Sequence, residues 1–140
     1  MTRPLASAAP DACVTTVLIA DNDFAVSNLL MDALVRHGLL VEQAFDGEAA
    51  RVRARLPGVA VVVCDLDMPL ASGVEVLESL ADLASPPAVV VISGYLDKMV
   101  LDRLRRLPFV LDVLRKPFDL LKFSERVRQL AAAAGSTPER

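Results

Sequence analysis

Two aspartates follow a strongly apolar stretch near the middle of the chain. The run from Val59 to Cys64 contains only apolar residues, most of them β-branched, and Asp65 and Asp67 come directly after it. This composition and length predict a central strand of a parallel sheet that helices cover on both faces. Such sheets place their chemistry beyond the carboxyl ends of their strands. Asp65 is therefore the leading candidate for a reactive carboxylate, although both acids also suit a plain loop or helix cap.

Three other predicted strands end in polar residues. The strand TVLIA is followed by Asp21 and Asn22, the strand AVVVI by Ser93, and the last predicted strand ends shortly before Lys116. Because the carboxyl ends of parallel strands meet at one edge of a sheet, we expect these side chains to lie near Asp65. Taken singly, a turn serine and a surface lysine are at least as plausible as functional residues, so the prediction depends on the whole set.

This set of side chains suits a phosphoryl group. Carboxylates that converge on one crevice repel one another unless a cation lies between them, and few hard oxygen ligands favour Mg²⁺, which keeps several waters and leaves room for a phosphate. Lys116 adds a positive charge and Ser93 adds a hydroxyl. The metal and the lysine would neutralise the oxygens of a phosphoryl group, and the hydroxyl would donate a hydrogen bond to one of them. Asp65 is then the nucleophile.

The elements that must position these residues alternate along the chain. Strands are predicted over 16–20, 40–44, 59–64, 88–92 and 111–114, and helices over 24–37, 48–56, 74–83, 97–107 and 120–134. Gly38 ends the first helix, and His37, the only histidine, lies in its last turn, where it complements the helix dipole. This alternation is typical of a doubly wound α/β fold.

Length and composition limit the class of protein. The 140 residues suit one domain, which we expect over 15–134, after a disordered extension over 1–14 and before a flexible tail over 135–140. The net charge of −3 offers no basic surface for nucleic acid or an acidic membrane. The longest uncharged run, 84–96, contains proline and glycine and falls short of the roughly 20 apolar residues of a membrane span.

The cysteines and the N-terminus point to a reducing compartment. Only Cys13 and Cys64 are present, which argues against a disulfide framework. Pro4 and Pro10 interrupt the stretch where a signal peptide needs a continuous apolar core. We therefore expect a cytoplasmic protein.

The ordered motifs resemble those of the bacterial response regulator receiver domain, the CheY-like family. The match consists of LIADND, DLDMPLASG with Asp65 and Gly73, VVVISGY with Ser93, and LRKPF with Lys116 and Pro117. Each motif is weak alone, but four of them in order at strand ends are a strong signal. The resemblance implies a flavodoxin-like (βα)5 sheet of strand order 2-1-3-4-5 and a cis Lys116–Pro117 peptide bond.

The resemblance also implies how the site operates. A histidine kinase or phosphotransfer protein would phosphorylate Asp65, with Mg²⁺ held by Asp21, Asn22, Asp65 and the backbone carbonyl of Asp67. Phosphorylation would draw Ser93 toward the phosphate and alter the face made by the fourth helix, fifth strand and fifth helix, where a downstream protein binds. We expect a stand-alone regulator, a monomer or weak dimer, whose only reactions are phosphotransfer and dephosphorylation at Asp65.

Two positions depart from the family pattern. Asn22 replaces the second acid of the metal-binding pair, so the site loses one negative charge. At an effective dielectric near 20 and a distance of about 4 Å, such a charge is worth roughly 4 kcal/mol before desolvation, and we expect Mg²⁺ affinity to fall by about tenfold or more. Val113 replaces the aromatic residue that turns inward when the serine moves, and Tyr95 and Phe109 are the nearest aromatic residues along the chain.

These departures leave two alternatives open. The first is a receiver-like module that binds partners without phosphorylation, which Asn22 and Val113 favour and which the retained Asp65, Ser93 and Lys116 disfavour. The second is a haloacid dehalogenase-type phosphatase, because VVVCDLD resembles its Asp-x-Asp motif. A complete strand and helix precede this motif, however, and no acidic pair follows the lysine, so the order of elements disfavours a phosphatase.

Overall fold

The computed structural model describes residues 15–68 and 72–135, in which strands and helices alternate. The strands are β1 (Thr16–Ala20), β2 (Leu40–Ala44), β3 (Val59–Asp65), β4 (Ala88–Ser93) and β5 (Val110–Arg115). The helices are α1 (Phe24–Val35), α2 (Gly47–Arg53), α3 (Gly73–Ser79), α4 (Lys98–Arg105) and α5 (Leu120–Gly135), and a short 3₁₀ helix, Leu80–Asp82, follows α3. Every predicted element is present, with ends that differ by up to four residues.

The five strands form one parallel sheet in the order β2-β1-β3-β4-β5, which confirms the predicted fold. Asp65 pairs with Ile92 of β4, and Ser93 pairs with Arg115 of β5. This register brings the polar residues that follow β1, β3, β4 and β5 to one edge of the sheet. The site therefore forms from segments that are far apart along the chain.

Side chains of each central strand alternate between two apolar cores. Val61 and Val63 of β3 face a core that contains α1 and α5 residues such as Leu30 and Phe123. Val62 and Cys64 face the opposite core, to which α2, α3 and α4 contribute Ala50, Leu77 and Leu104, among others. Because both faces of the sheet are covered, the central strands β1, β3 and β4 are almost entirely apolar, which accounts for much of the high apolar content of the sequence.

Side-chain caps define where the helices begin. The carboxylates of Asp23, Asp46 and Asp97 accept backbone N–H bonds at the starts of α1, α2 and α4. Ser72 and Glu75 form a capping box at the start of α3. These contacts satisfy N–H groups that have no partner within a helix, so each loop passes into its helix at a fixed residue.

Two predicted features of the helices differ from the structure. The helix predicted over 74–83 ends at Ser79, whose hydroxyl donates to the Val76 carbonyl at 2.6 Å and thereby competes with the helical bonding pattern. The apolar periodicity of the first helix also begins with Phe24, but that side chain is 63% exposed and packs edge-on against Phe45, outside both cores.

Some predictions concern residues outside the described ranges. They include the disordered extension over 1–14, the residues of the tail beyond Gly135, Cys13, and Pro69 of the DLDMPLASG motif. Across the described ranges, the helices are too short or too polar to span a bilayer.

Candidate functional site

Asp21 lies at the carboxyl end of β1 with its side chain completely buried. Its backbone N–H donates to the Ala44 carbonyl of β2 at 3.0 Å, which continues the strand pairing beyond Ala20. One carboxylate oxygen, Oδ1, accepts the backbone N–H of Asp23 at 2.9 Å. These contacts hold the carboxylate inside the crevice.

Asp65 is the last residue of β3, and its side chain is also buried. Its Oδ1 accepts the Asp67 backbone N–H at 3.3 Å, so the loop after the strand orients the carboxylate. The backbone behind Asp65 is tightly packed, because a Cβ at Gly73 would lie 2.5 Å from the Asp65 carbonyl oxygen and 2.5 Å from Leu66 Cα. Only glycine lets α3 begin this close to the end of β3.

Lys116 lies between the two buried carboxylates. Its Nζ is 3.5 Å from Asp21 Oδ2 and 3.6 Å from Asp65 Oδ2. The Lys116 backbone N–H donates to the Ser93 carbonyl at 2.8 Å, and the Lys116–Pro117 peptide bond is cis, as the family resemblance implies. Lys116 thus joins the ends of β1, β3 and β4 in one site.

The electrostatics of this site are unbalanced. The pKa of Asp65 is raised to about 6, first by burial and then by the charge of Asp21, while the Asp67 N–H and Lys116 act in the opposite direction. Two carboxylates and one ammonium leave a net charge of about −1 when both acids are ionised. Burial of uncompensated charge is costly, so the site favours an additional cation.

Ser93 ends β4 beside this cluster, but its hydroxyl is engaged elsewhere. Oγ donates to the Tyr95 carbonyl at 2.7 Å and accepts the Tyr95 N–H at 3.1 Å. The Ser93 side chain is buried, whereas Tyr95 is 74% exposed at the start of the loop to α4. The structure therefore places Ser93 at the predicted strand end with its hydroxyl bonded to the β4–α4 loop.

The remaining predicted metal ligands lie at the solvent side of the crevice. Asn22 and Asp67 are both exposed, in contrast to Asp21 and Asp65. Within the described ranges, no three His, Cys, Asp or Glu side chains converge as a metal site. Asp23 does not replace Asn22, because its carboxylate accepts the Ala25 and Val26 N–H groups that begin α1.

The donor set nevertheless fits Mg²⁺. This ion commonly takes one or two carboxylates and keeps several waters, so Asp21 and Asp65 provide enough protein charge. The amide oxygen of Asn22 and the backbone carbonyl of Asp67 are the oxygen donors nearest in sequence to these two acids. The charge imbalance of the buried cluster is the structural reason to expect a cation there.

Other predicted positions lie away from the cluster. Cys64 is fully buried in the core, where desolvation raises the pKa of its thiol, so it remains protonated and inert. His37 Nε2 is 3.3 Å from Ser124 Oγ, between α1 and α5. Val113 is 37% exposed on β5 and lines a cleft of about 240 Å³ with Leu101 and Leu104 of α4.

Two contacts around the site were not predicted from the sequence. The Ser93–Tyr95 hydrogen bonds have only a weak signal, a serine two residues before the loop residue that it binds. The close approach at Gly73 had a sequence signal, because glycine stands at the start of a predicted helix, where a residue with higher helix propensity is expected. Both depend on how the loops pack.

The chain resembles known proteins over most of its length. The model for the response regulator receiver domain matches residues 17–128. The chain is 31% identical to the chemotaxis protein CheY of Treponema pallidum, over 84% of this chain and 83% of CheY. It is also 31% identical to the transcriptional regulatory protein CutR of Streptomyces coelicolor, over 81% of this chain and 52% of CutR.

A solved structure shows the same fold. The chain matches a chain in the CheX–CheY–BeF3–Mg²⁺ complex of Borrelia burgdorferi with a TM-score of 0.71 and 22% identity, covering 83% of this chain and 88% of the other. The chain spans about half the length of the first curated relatives that it matches. The family match supports a receiver rather than a haloacid dehalogenase-type phosphatase. The chain belongs to the response regulator receiver domain family of two-component systems.

Proposed function

We propose that Asp65 accepts a phosphoryl group from a histidine kinase or a histidine phosphotransfer protein. The observation that carries this proposal is the position of Lys116 Nζ, 3.5 and 3.6 Å from the Asp21 and Asp65 carboxylates. A cation held beside a buried carboxylate stabilises the charge that builds on a transferring phosphoryl group. The protein acts in the cytoplasm, and its output is contact with another protein.

The reaction is a single displacement at phosphorus. A carboxylate oxygen of Asp65 attacks the phosphorus of the phosphohistidine, the P–N bond breaks, and the histidine nitrogen leaves with the bonding pair and takes up a proton. Oδ1 is held by the Asp67 N–H and Oδ2 faces Lys116, so the carboxylate is oriented before the donor arrives. Hydrolysis of the acyl phosphate later returns Asp65. Catalysis is confined to this residue.

Mg²⁺ and phosphoaspartate are typical of the family. In this chain the ion would neutralise phosphoryl oxygens. It would be held by Asp21, Asp65, the Asn22 amide oxygen and the Asp67 backbone carbonyl. Asn22 supplies no charge, so we propose weaker Mg²⁺ binding than an acid pair gives.

Ser93 carries the signal from the site. A hydroxyl has one proton, so Ser93 cannot donate to a phosphoryl oxygen and to the Tyr95 carbonyl at the same time. Phosphorylation would therefore break the 2.7 Å bond to Tyr95 and alter the loop that leads into α4. The downstream partner would bind the face of α4, β5 and α5, where Val113 is exposed.

The proposal is tested by the mass of the protein after incubation with acetyl phosphate or phosphoramidate, with and without Mg²⁺. We expect the wild-type chain to gain one phosphoryl group. A D102N variant should gain one too, because Asp102 is a partly exposed acid on α4 that pairs only with Lys98 and Arg105 among the described residues. The D65N variant should gain none. An adduct on D65N would place the acceptor elsewhere.

A second function is favoured by Asn22 and Val113. A receiver-like module could bind its partner without phosphorylation, and in that case the folded wild-type chain would form no adduct even at high Mg²⁺ concentration. The same experiment therefore separates the two functions.

A further inference from the structure

Helix α4 is attached to the domain by few apolar contacts. Leu104 is the one buried residue of the helix, and Val100 packs against the same core from a partly buried position. The other side chains of α4 are partly or fully exposed. An element that buries so little apolar surface can move at a low cost in free energy.

An ion pair joins this helix to α3. Arg103 Nε donates to Glu78 Oε2 at 2.9 Å, and Arg103 Nη2 donates to Glu78 Oε1 at 2.5 Å. The two bonds fix the guanidinium in one orientation, and they hold the pKa of Glu78 below its ordinary value. Within the described ranges this is the only ion pair between α3 and α4. It therefore makes up a substantial part of the attachment of α4.

The α3 side of the ion pair is fixed. A capping box defines the start of α3, and Gly73 lies against the backbone of Asp65 and Leu66. At the end of the helix, Arg55 donates to the Ser79 carbonyl at 2.7 Å. Helix α4 is consequently the element that moves when the ion pair breaks.

A cleft of about 390 Å³ gives α4 room to move. It is lined by Val74 of α3 and by Val100 and Arg103 of α4. Ser93 and Tyr95 line the same cleft, which extends to the ends of the loops after β3 and β4. The loop that phosphorylation is proposed to alter thus borders the space beside the ion pair.

We propose that Glu78 and Arg103 are positioning residues that hold α4 in its resting place and thereby oppose phosphorylation of Asp65. Ser93 can release Tyr95 only if the loop between them and α4 changes its path. While the ion pair holds α4 to the fixed helix α3, it resists that change. The pair therefore stabilises the resting arrangement and lowers the affinity of the site for a phosphoryl group. This inference rests on the proposed switch at Ser93 and adds the contact that opposes it.

The first test is the affinity for beryllofluoride at a fixed Mg²⁺ concentration, measured by fluorine NMR of the bound group. We expect E78Q to bind it about two- to fivefold more tightly than wild type, which is the change that loss of a partly exposed ion pair gives. E78Q is preferred to R103Q, because the charge of Arg106 also acts on Glu78 and can take the place of Arg103.

D82N is the matched control for this measurement. Asp82 pairs with Arg55 at 3.0 Å, so the variant also loses a partly exposed ion pair, but one that does not involve α4. We expect the affinity of D82N to equal that of wild type. Equal affinities of E78Q and wild type would overturn the proposal, as would equal effects of E78Q and D82N.

The second test exchanges the charges of the pair. R103E alone places two carboxylates side by side and should raise the affinity at least as much as E78Q. Addition of E78R rebuilds the pair with its charges exchanged, and the affinity should return toward the wild-type value. Circular dichroism establishes that each variant is folded. A double variant that keeps the raised affinity would overturn the ion pair as the restraint, because lost packing is not restored by a charge exchange.

Hydrogen exchange separates this inference from the proposed function. Without Mg²⁺ and beryllofluoride, the amides of α4 should exchange faster in E78Q than in wild type and D82N, while those of α3 exchange equally. Unchanged exchange in α4 would overturn the restraint whatever the site binds. Faster exchange in a protein that binds no beryllofluoride would support the restraint and contradict the proposed phosphorylation of Asp65.

Discussion

The Ser93 hydroxyl and the Tyr95 backbone exchange two hydrogen bonds, at 2.7 Å from Oγ to the Tyr95 carbonyl and at 3.1 Å from the Tyr95 N–H to Oγ. Ser93 is buried beside the Asp21–Lys116–Asp65 cluster, whereas Tyr95 is exposed. The pair therefore connects the buried site to a surface loop. This connection does not involve an aromatic side chain at position 113, which is a valine.

Tyr95 should report occupation of the site. It is the only tyrosine, and the chain has no tryptophan, so its fluorescence is a local signal. We expect beryllofluoride with Mg²⁺, which mimics the phosphoryl group, to change the emission of the wild-type chain because Ser93 releases the Tyr95 carbonyl. The S93A variant should bind the mimic without this change. If S93A shows the same change as wild type, the loop is not coupled through Ser93.

The contribution of Asp65 to the stability of the apo protein should fall as the pH rises from about 4 to about 7. The folded-state pKa of Asp65 is raised from 3.8 to about 6, so the folded state binds this proton more tightly than the unfolded state. The stabilisation from this proton is fully present at pH values below the unfolded-state pKa. It is lost as the pH rises through the folded-state pKa. D65N removes the buried charge, and at pH 7 it should raise the free energy of unfolding by about 2 kcal/mol.

Urea denaturation in the presence of a chelator, at several pH values, measures this effect. D67N is the control, since Asp67 is exposed, and it should keep the wild-type pH dependence. A D65N variant no more stable than wild type at pH 7 would show that Lys116 fully compensates the buried charge.

Glycine at position 73 should be required for the fold around Asp65. In G73A the new Cβ would meet backbone atoms at 2.5 Å, which the chain relieves only by moving the start of α3, and we expect a loss of about 1–3 kcal/mol. At Gly94 a Cβ has no neighbour within 4 Å, so G94A should be nearly neutral. Chemical denaturation of both variants checks this difference. Equal stabilities would contradict the close approach.

Replacement of Asn22 by aspartate should strengthen Mg²⁺ binding by about tenfold or more, because the site regains one negative charge. The same change should destabilise the apo protein, since a third carboxylate joins Asp21 and Asp65. Calorimetric titration with Mg²⁺ measures the affinity. N28D is the matched control, because Asn28 is exposed on α1 and its Oδ1 only accepts a bond from Gln43. An unchanged affinity in N22D would exclude position 22 as a ligand.

The sequence alone determined the order of the elements and the residues at the strand ends. Apolar β-branched runs predict buried strands in any fold, and a polar residue directly after such a run marks the end of the strand. Asp21, Asp65 and Ser93 were therefore correctly placed at strand ends. The family resemblance added the strand order, because periodicity does not say which strands are neighbours.

Only the tertiary structure decided how these residues meet. Lys116 and Asp21 are 95 residues apart, and their contact depends on the pairing of β1, β3, β4 and β5. The bonds of Ser93 to Tyr95, the cap formed by Asp23 and the exposure of Leu121 likewise depend on the paths of loops and on the neighbours that the remaining space allows. Local patterns report which residues are buried in a strand or helix, whereas the partner of each side chain is set by the packing of distant segments.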